Sequence, residues 1–167
     1  MVGDDEDFTA FVAGQSRRLV AHARYLGVPA DDAPDLVQDV LVRCYPRWRR
    51  IARADPYSYV ARGVTNAAVD RVRRRVRRPE VVQTHVPDGV VAAPDAASAA
   101  FDEALRLLAV LPPREREVLV LRYFADLTEA QTAEQLRIAV GTVKSTHASA
   151  LARLRASGLV ELEGRTP

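Results

Sequence analysis

The densest chemically active pattern in the sequence is the run RVRRRVRR, residues 71–78. Guanidinium groups keep their charge at physiological pH and bind phosphate oxygens through paired hydrogen bonds. Residues 43–78 contain 12 arginines against two aspartates, whereas the whole chain carries a net charge of only +2. A basic block between acidic flanks predicts a surface for a polyanion. The alternative is a solvated, arginine-rich helix face.

Aromatic and amide side chains accompany these arginines. Unpaired nucleic-acid bases stack on aromatic rings while basic residues follow the phosphates. Tyr57 and Tyr59 could meet bases in this way or pack in the core, and Asn66 offers an amide to a base edge. For Trp48 we predict core packing.

A second pattern lies near the C-terminus. Thr128 is suited to cap the short helix EAQTAEQL, and Gln131 three residues later completes a capping box. The turn RIA follows, and a longer helix, VGTVKSTHASALARLR, begins near Val140. This order is typical of a helix-turn-helix, whose second helix enters the major groove of DNA. An ordinary helical hairpin would give a similar pattern.

Other chemistry finds little support in the sequence. His22, His85 and His147 are far apart and lack the spacing of a metal site, so we expect no metal or other cofactor. There is no GxxxxGK[ST] phosphate loop and no GxSxG nucleophile elbow. The single cysteine, Cys44, excludes a disulfide framework and is expected to pack as a small core residue. We therefore predict that the protein is not an enzyme.

The sequence also gives expectations for the cellular compartment. No apolar run approaches the ~20 residues of a membrane-spanning helix. The acidic start, MVGDDEDF, lacks the basic and apolar regions of a signal peptide. A cytoplasmic protein without membrane insertion is predicted.

Helical periodicity accounts for nearly all of the chain outside one segment. The predicted class is all-α, with two small helical domains joined by a flexible linker. The first domain is predicted over residues 1–78 and the second, with the helix-turn-helix, over residues 100–167. Residues 79–99 contain three prolines, a glycine and many small residues, which is typical of a linker, although a minor strand is an alternative.

Four segments resemble the extracytoplasmic-function (group IV) sigma factors of bacterial RNA polymerase, with an arginine content typical of actinobacteria. DAPDLVQDVLVRCYPRW (32–48) resembles the segment that binds core polymerase. PYSYVARGVTNAAVDRVRRR (56–75) resembles the helix that reads and melts the minus-10 element. In the family, the loop before this helix helps to form a pocket for a base flipped from the stack, so the resemblance implies such a pocket at RRIARADP, residues 49–56. LAVLPPREREVLVLRYFADLTEAQTAEQL (108–136) and VGTVKS (140–145) resemble the domain that binds the minus-35 element.

The resemblance implies a site for each of three tasks. Core-polymerase binding is expected at Asp35, Leu36, Gln38, Asp39 and Arg43. Minus-10 DNA binding is expected at Arg49, Arg50, Tyr57, Arg62, Asn66, Arg71, Arg73, Arg74 and Arg75. Minus-35 DNA binding is expected at Thr128, Thr142, Lys144, Ser145, Thr146, His147 and Arg153.

The resemblance also implies the partners. They are promoter DNA and core RNA polymerase, contacted at the clamp coiled coil of its largest subunit and at its flap. An anti-sigma factor is expected to control the protein. The implied function is that of an alternative sigma factor that directs promoter recognition, DNA opening and transcription initiation. A degenerate sigma-like protein that regulates transcription through protein contacts is the alternative, and a free helix-turn-helix repressor is a third possibility.

Four positions depart from the family pattern. Arg137 and Ala139 occupy the places of a turn glycine and a serine cap, and Thr146 replaces a basic residue. Thr132 stands where the family has a larger apolar side chain. A missing serine cap costs about 1 kcal/mol, and a missing phosphate contact weakens DNA binding. Minus-35 binding is therefore predicted to depend on polymerase holding the domain on DNA.

Overall fold

The computed structural model describes residues 2–77 and 97–158, and the chain divides into two units, Met1–Pro79 and Glu80–Pro167. The described residues form helices and include no strand, which confirms the predicted all-α class. The first unit contains α1 (Val2–Tyr25), α2 (Ala33–Cys44), a 3-10 turn (Tyr45–Arg47), α3 (Trp48–Ile51) and α4 (Pro56–Arg77). The second contains α5 (Ala97–Ala109), α6 (Pro113–Tyr123), α7 (Glu129–Leu136) and α8 (Val140–Ala156).

Three helices, α1, α2 and α4, pack on one another to form the core of the first unit. Apolar residues on α2 and α4 recur at helical spacing, so each helix turns one stripe inward. The buried residues of these two helices are Ala33, Leu36, Val37, Val40, Leu41, Cys44, Val60, Ala61, Val64, Thr65, Ala68 and Val69. Cys44 is buried, as the core interpretation requires.

A buried hydrogen bond joins α1 to α4. The Oγ1 of Thr65 donates to the carbonyl of Ala61 at 3.0 Å, so His22 Nε2 is the donor in its 2.8 Å contact with the same Oγ1. Burial, aided by the charge of Arg18, lowers the pKa of His22 to about 4. The imidazole is therefore neutral at physiological pH and serves as a core hydrogen-bond donor.

The chain turns sharply between α2 and α4. Pro46 cannot continue α2 with a hydrogen-bonded amide, and a 3-10 turn follows. Trp48 at the start of α3 is only 3% exposed, with its ring edge-on to Phe8 and 4.8 Å from that of Phe11. Trp48 is thus a core residue that fixes α3 against the N-terminal half of α1.

A glycine allows α2 and α4 to cross closely. A Cβ atom built on Gly63 of α4 would lie 2.9 Å from Cγ1 of the buried Val40 on α2. Carbon atoms do not approach so closely, so glycine is needed here despite its unfavourable helix propensity.

In the second unit, α8 packs on α6 and α7. The buried apolar side chains of this unit are Leu108, Leu111, Val118, Leu119, Val120, Leu121, Ala133, Leu136, Val143 and Ala150. The guanidinium of Arg116 donates to the carbonyls of Leu108 and Leu111 at 2.9 and 3.2 Å. It thereby adds hydrogen bonds to carbonyl groups in the last turn of α5 and just after it.

The predicted linker, residues 79–99, falls mostly outside the described residues. Its last three residues are helical, because α5 begins at Ala97. The sequence ASAA at this point favours helix propagation, so the helix starts three residues earlier than predicted.

Candidate polymerase and nucleic-acid interfaces

The outer face of α2 carries the polar residues assigned to polymerase. Asp35, Gln38, Asp39 and Arg43 are all exposed. Leu36, which the prediction includes with them, does not share this exposed face, because its side chain is buried in the core of the unit.

An apolar residue on the outer face was missed. Val42 is 64% exposed and follows Gln38 by one helical turn. The signal was present in the sequence, since Val42 lies off the stripe formed by Val37, Val40 and Leu41. The outer face of α2 therefore combines carboxylates with one apolar contact.

A cleft of about 470 Å³ opens between α3 and the start of α4. It lies in the segment 49–56, where the resemblance implies a base pocket, together with Arg47 before that segment and the first turns of α4 after it. Its lining residues are Arg47, Arg50, Ile51, Ala54, Asp55, Ser58, Tyr59 and Arg62. Three guanidinium groups beside an aromatic ring and an aliphatic side chain can hold a base and its phosphate.

The carboxylate of Asp55 shapes one wall of this cleft. It accepts a hydrogen bond from the backbone amide of Ser58 at 3.1 Å and another from the Ser58 hydroxyl. These bonds lower the pKa of Asp55 and cap α4, whose first residue is Pro56. The capped helix start holds the nearby side chains of the cleft in place.

The two tyrosines of α4 have different surroundings. Tyr59 lines the cleft and is 48% exposed. Tyr57 does not line it: the guanidinium carbon of Arg18 lies 4.0 Å from its ring centroid, and partial burial raises its pKa. Of the two tyrosines, the structure therefore places Tyr59, which is not among the predicted minus-10 residues, in the cleft and the predicted Tyr57 outside it.

The arginines at the end of α4 form a second basic region. Arg71 and Arg75 reach back to the carboxylate of Asp32, with N–O distances of 3.0 and 3.9 Å. Asp70, Arg73, Arg74 and Arg77 line an open depression of about 450 Å³. Of the other predicted minus-10 residues, Arg49, Arg62 and Asn66 are exposed.

In the helix-turn-helix, α7 begins with a regular capping box, whereas the turn before α8 contains a left-handed arginine and an uncapped helix start. Thr128 Oγ1 accepts from the Gln131 amide at 3.2 Å and the Gln131 side chain accepts from the Thr128 amide at 2.8 Å, which confirms the predicted capping box. The hydroxyl of Thr128 is thus used within the domain. Arg137 adopts a left-handed conformation with φ 55° and ψ 52°, and Ala139 precedes α8 without any side-chain cap. These are the two positions at which the chain departs from the family's glycine and serine.

The N-terminal half of α8 presents short polar side chains. Thr142, Lys144 and Ser145 are exposed, while Thr146 and His147 are half-buried. The ammonium of Lys144 lies 3.7 Å from a carboxylate oxygen of Glu129 on α7.

His147 has an aromatic partner on α6. Its Nε2 is 2.9 Å from the hydroxyl of Tyr123, and the two rings are stacked with centroids 5.7 Å apart. The imidazole of His147 is therefore already hydrogen-bonded and stacked within the domain. Tyr123, which is 62% exposed, adds an aromatic ring to the same surface.

Farther along α8, Arg153 is bound to α6. Its Nε donates to Oε2 of Glu115 at 2.9 Å, and Ser149 Oγ donates to Oε1 at 3.1 Å. Pairing with Glu115 also raises the pKa of Arg153. The carboxylate of Glu115 is buried, and a buried charge requires such partners because its desolvation is costly.

Thr132 lies at the centre of this unit. It is fully buried on α7, and its hydroxyl has no hydrogen-bond partner. Thr132 is therefore a core position whose side chain gains nothing from its hydroxyl group.

Metal binding and membrane insertion find no support among the described residues. Within residues 2–77 and 97–158, no group of three His, Cys, Asp or Glu side chains could hold a metal ion. Over the same ranges, no helix is both long and apolar enough to cross a membrane.

Comparisons with known proteins match both units of the chain to one protein family. Family models described as Sigma-70 region 2 and Sigma-70, region 4 match residues 11–78 and 107–156. The chain is 38% identical to the RNA polymerase sigma-E factor of Streptomyces avermitilis, over 98% of this chain and 89% of that one. It is 32% identical to the ECF RNA polymerase sigma factor SigM of Mycobacterium tuberculosis, over 92% of this chain and 78% of that one.

A solved structure has the same fold. The sigma factor RpoE of Bartonella quintana, in complex with the anti-sigma factor NepR, matches with a TM-score of 0.69 at 22% identity. The match covers 95% of this chain and 99% of that one. From the two family models and the actinobacterial relatives, the chain belongs to the extracytoplasmic-function RNA polymerase sigma factors, which bind core RNA polymerase and promoter DNA to start transcription.

Proposed function

We propose that this sigma factor binds core polymerase through the outer face of α2, holds an unpaired promoter base in the α3–α4 cleft and reads the minus-35 element with α8. The main support for this proposal is the cleft between α3 and α4. Its volume of about 470 Å³ lies within the ~300–1,000 Å³ range of small-molecule pockets, and its walls combine guanidinium groups with the ring of Tyr59. These are the groups that an extruded base and its phosphates need.

Promoter opening tests the cleft directly. With core polymerase and a supercoiled template, Tyr59→Ala should reduce permanganate reactivity of unpaired thymines about tenfold, since base stacking is worth ~1–3 kcal/mol. Tyr57→Ala is the matched control, because that ring packs against Arg18 outside the cleft. Equal open-complex yields for the Tyr59 variant and the wild type would remove the cleft from base binding.

Polymerase binding is assigned to the exposed carboxylates of α2 with Val42. We expect them to meet a basic helical surface, the clamp coiled coil of the largest subunit. Asp39→Arg should weaken the affinity for core polymerase at least tenfold, because like charges then oppose each other across the interface. Glu6→Arg, the same charge reversal at an exposed position of α1, should leave it unchanged. Loss of affinity in both variants would indicate a nonspecific charge effect.

Minus-35 binding is assigned to α8, with Lys144 as its phosphate contact. Lys144→Ala should reduce the salt dependence of DNA binding by about one contact. The domain's contacts with the polymerase flap should supply the remaining affinity. The strained turn at Arg137 and the missing cap at Ala139 favour this dependence on polymerase.

The same turn also favours the second candidate function, a sigma-like regulator that binds polymerase without opening promoters. Transcription in vitro separates the two functions. Core enzyme with saturating protein should initiate at cognate promoters in a genomic library. Stable binding to core without initiation at any of them would favour the regulator.

Control by an anti-sigma factor also forms part of the proposal. The similar structure of RpoE was determined with such a partner. We expect an anti-sigma factor to compete with core polymerase for this chain, and a pull-down of the purified pair with added core should show exclusion. A stable ternary complex would contradict that mechanism. The protein is proposed to act in the cytoplasm as an initiation factor and not as an enzyme, since the nucleotide chemistry belongs to polymerase.

A further inference from the structure

One side of α8 carries both predicted DNA contacts and residues that are hydrogen-bonded to α6. Thr142, Thr146, Ser149 and Arg153 recur at intervals of four, three and four residues, so they follow one side of the helix. The first two belong to the surface assigned to DNA. The last two are hydrogen-bonded to Glu115 of α6.

Both oxygens of the Glu115 carboxylate are used in this contact. Oε1 accepts from Ser149 Oγ at 3.1 Å and from Arg153 Nη2 at 3.4 Å, and Oε2 accepts from Arg153 Nε at 2.9 Å. Glu115 is only 8% exposed, whereas Arg153 is half exposed. Because an unpaired carboxylate would be strongly disfavoured at this depth, the contact fixes which side of α8 faces α6.

Apolar packing fixes this orientation only in part. Among the described residues of α8, Val143 and Ala150 are buried, and Leu151 and Leu154 are half-buried. The start of the helix has no side-chain cap at Ala139. The hydrogen bonds of Ser149, which is next to Ala150, and of Arg153, one turn after Ser149, therefore restrain rotation of α8 about its axis.

We propose that Glu115 is a positioning residue for minus-35 recognition and that Arg153 is its partner rather than a DNA contact. The inference rests on the proposed minus-35 function of α8. It revises the prediction for Arg153, which placed that residue among the minus-35 DNA contacts. The pair acts through the rotation of α8, which decides where Thr142, Lys144 and Thr146 point.

The experiment measures sequence discrimination by the complete holoenzyme. The probe is a promoter library with random base pairs across the minus-35 element, bound by core polymerase carrying wild type, Glu115→Ala, Glu115→Gln, Arg153→Met or the double variant Glu115→Ala/Arg153→Met. Sequencing of the bound fraction gives the preference for the best sequence over single mismatches. The slope of binding against salt concentration is measured on the best sequence, with Lys144→Ala as the phosphate-contact comparator.

The expected result is a loss of discrimination of about tenfold in Glu115→Ala and Arg153→Met, which is what one base pair typically contributes. The double variant should lose no more than either single one, because the two residues form one contact. Arg153→Met should keep the wild-type salt slope. A partly unfolded domain would bind less of every sequence equally, so reduced stability alone leaves the ratio unchanged. Glu115→Gln retains the side-chain shape and should lose less than Glu115→Ala.

Two results would overturn the inference. One is unchanged discrimination in Glu115→Ala and Arg153→Met. The other is a salt slope that falls by about 0.9 in Arg153→Met, as it should in Lys144→Ala, because that would make Arg153 a phosphate contact. If instead the wild type selects no minus-35 sequence and Lys144→Ala has no effect, the minus-35 function itself fails, and the inference falls with it.

Discussion

A fall in pH should lower the free energy of unfolding of the first unit through one buried histidine. His22 lies between α1 and α4 and donates to Thr65. Its pKa is about 4 in the folded protein and 6.5 in an unstructured chain. The unfolded chain therefore binds the proton more tightly, and its protonation favours unfolding as the pH falls through 6.5 and toward 4. Below pH 4 the whole contribution of His22 to the free energy of unfolding has been lost, and a further fall in pH removes no more of it.

The size of the effect follows from the two pKa values. At 1.36 kcal/mol per pH unit, the full difference is about 3 kcal/mol. Between pH 7 and pH 4.5 the loss should be roughly 2.5 kcal/mol. That is a large share of the ~5–15 kcal/mol that stabilises a typical domain.

The assay compares wild type with His22→Gln. The glutamine amide can still donate to Thr65, but it does not titrate in this range. Trp48 is the only tryptophan, and it is buried in the first unit, so its fluorescence reports urea unfolding of that unit alone. The wild type should lose about 2.5 kcal/mol more than the variant between the two pH values. Equal losses would refute the conclusion that His22 is buried as a neutral group, as would an NMR titration of its imidazole with a midpoint near 6.5.

Three further predictions concern single positions. Gly63→Ala should destabilise the first unit by about 1 kcal/mol in the same assay, because the new methyl overlaps Val40, whereas Gly14→Ala, with open space around it, should stabilise it by roughly 0.5–1 kcal/mol; a gain in both would contradict the close crossing. Thr132→Val should raise the unfolding free energy of the second unit by about 1 kcal/mol in circular dichroism, since it removes a buried hydroxyl without a partner; a loss would point to an unseen hydrogen bond. Arg137→Gly should also stabilise that unit by about 1 kcal/mol, because glycine adopts the left-handed conformation without steric cost, and an unchanged midpoint would contradict a strained turn.

The sequence determined the helices well because their signals are local. The spacing of Val60, Val64 and Ala68 sets which side of α4 faces inward whatever it packs against. The capping box of Thr128 and Gln131 involves residues within one turn, and the structure contains it as predicted. The start of α1 was less clear, because the acidic residues before Phe8 lack apolar periodicity and yet form helix.

The assignment of individual side chains to surfaces was less secure. Leu36 follows Asp35 in the sequence but points to the core, since neighbouring positions on a helix lie about 100° apart. The surroundings of Tyr57 and Tyr59 could not be told apart from the sequence, because Arg18, which covers the ring of Tyr57, belongs to another helix.

By itself, the sequence determined the class of fold, the positions of most helices, the helix-turn-helix and the sigma factor family, because these depend on periodicity, capping and motifs within short segments. Only the tertiary structure decided which charges are available to partners. Glu115 and Arg153 are 38 residues apart in the chain but share hydrogen bonds, and Asp32 reaches Arg71 and Arg75 in the same way. Contacts between distant residues arise from the packing of whole helices, and no spacing within a single helix encodes them.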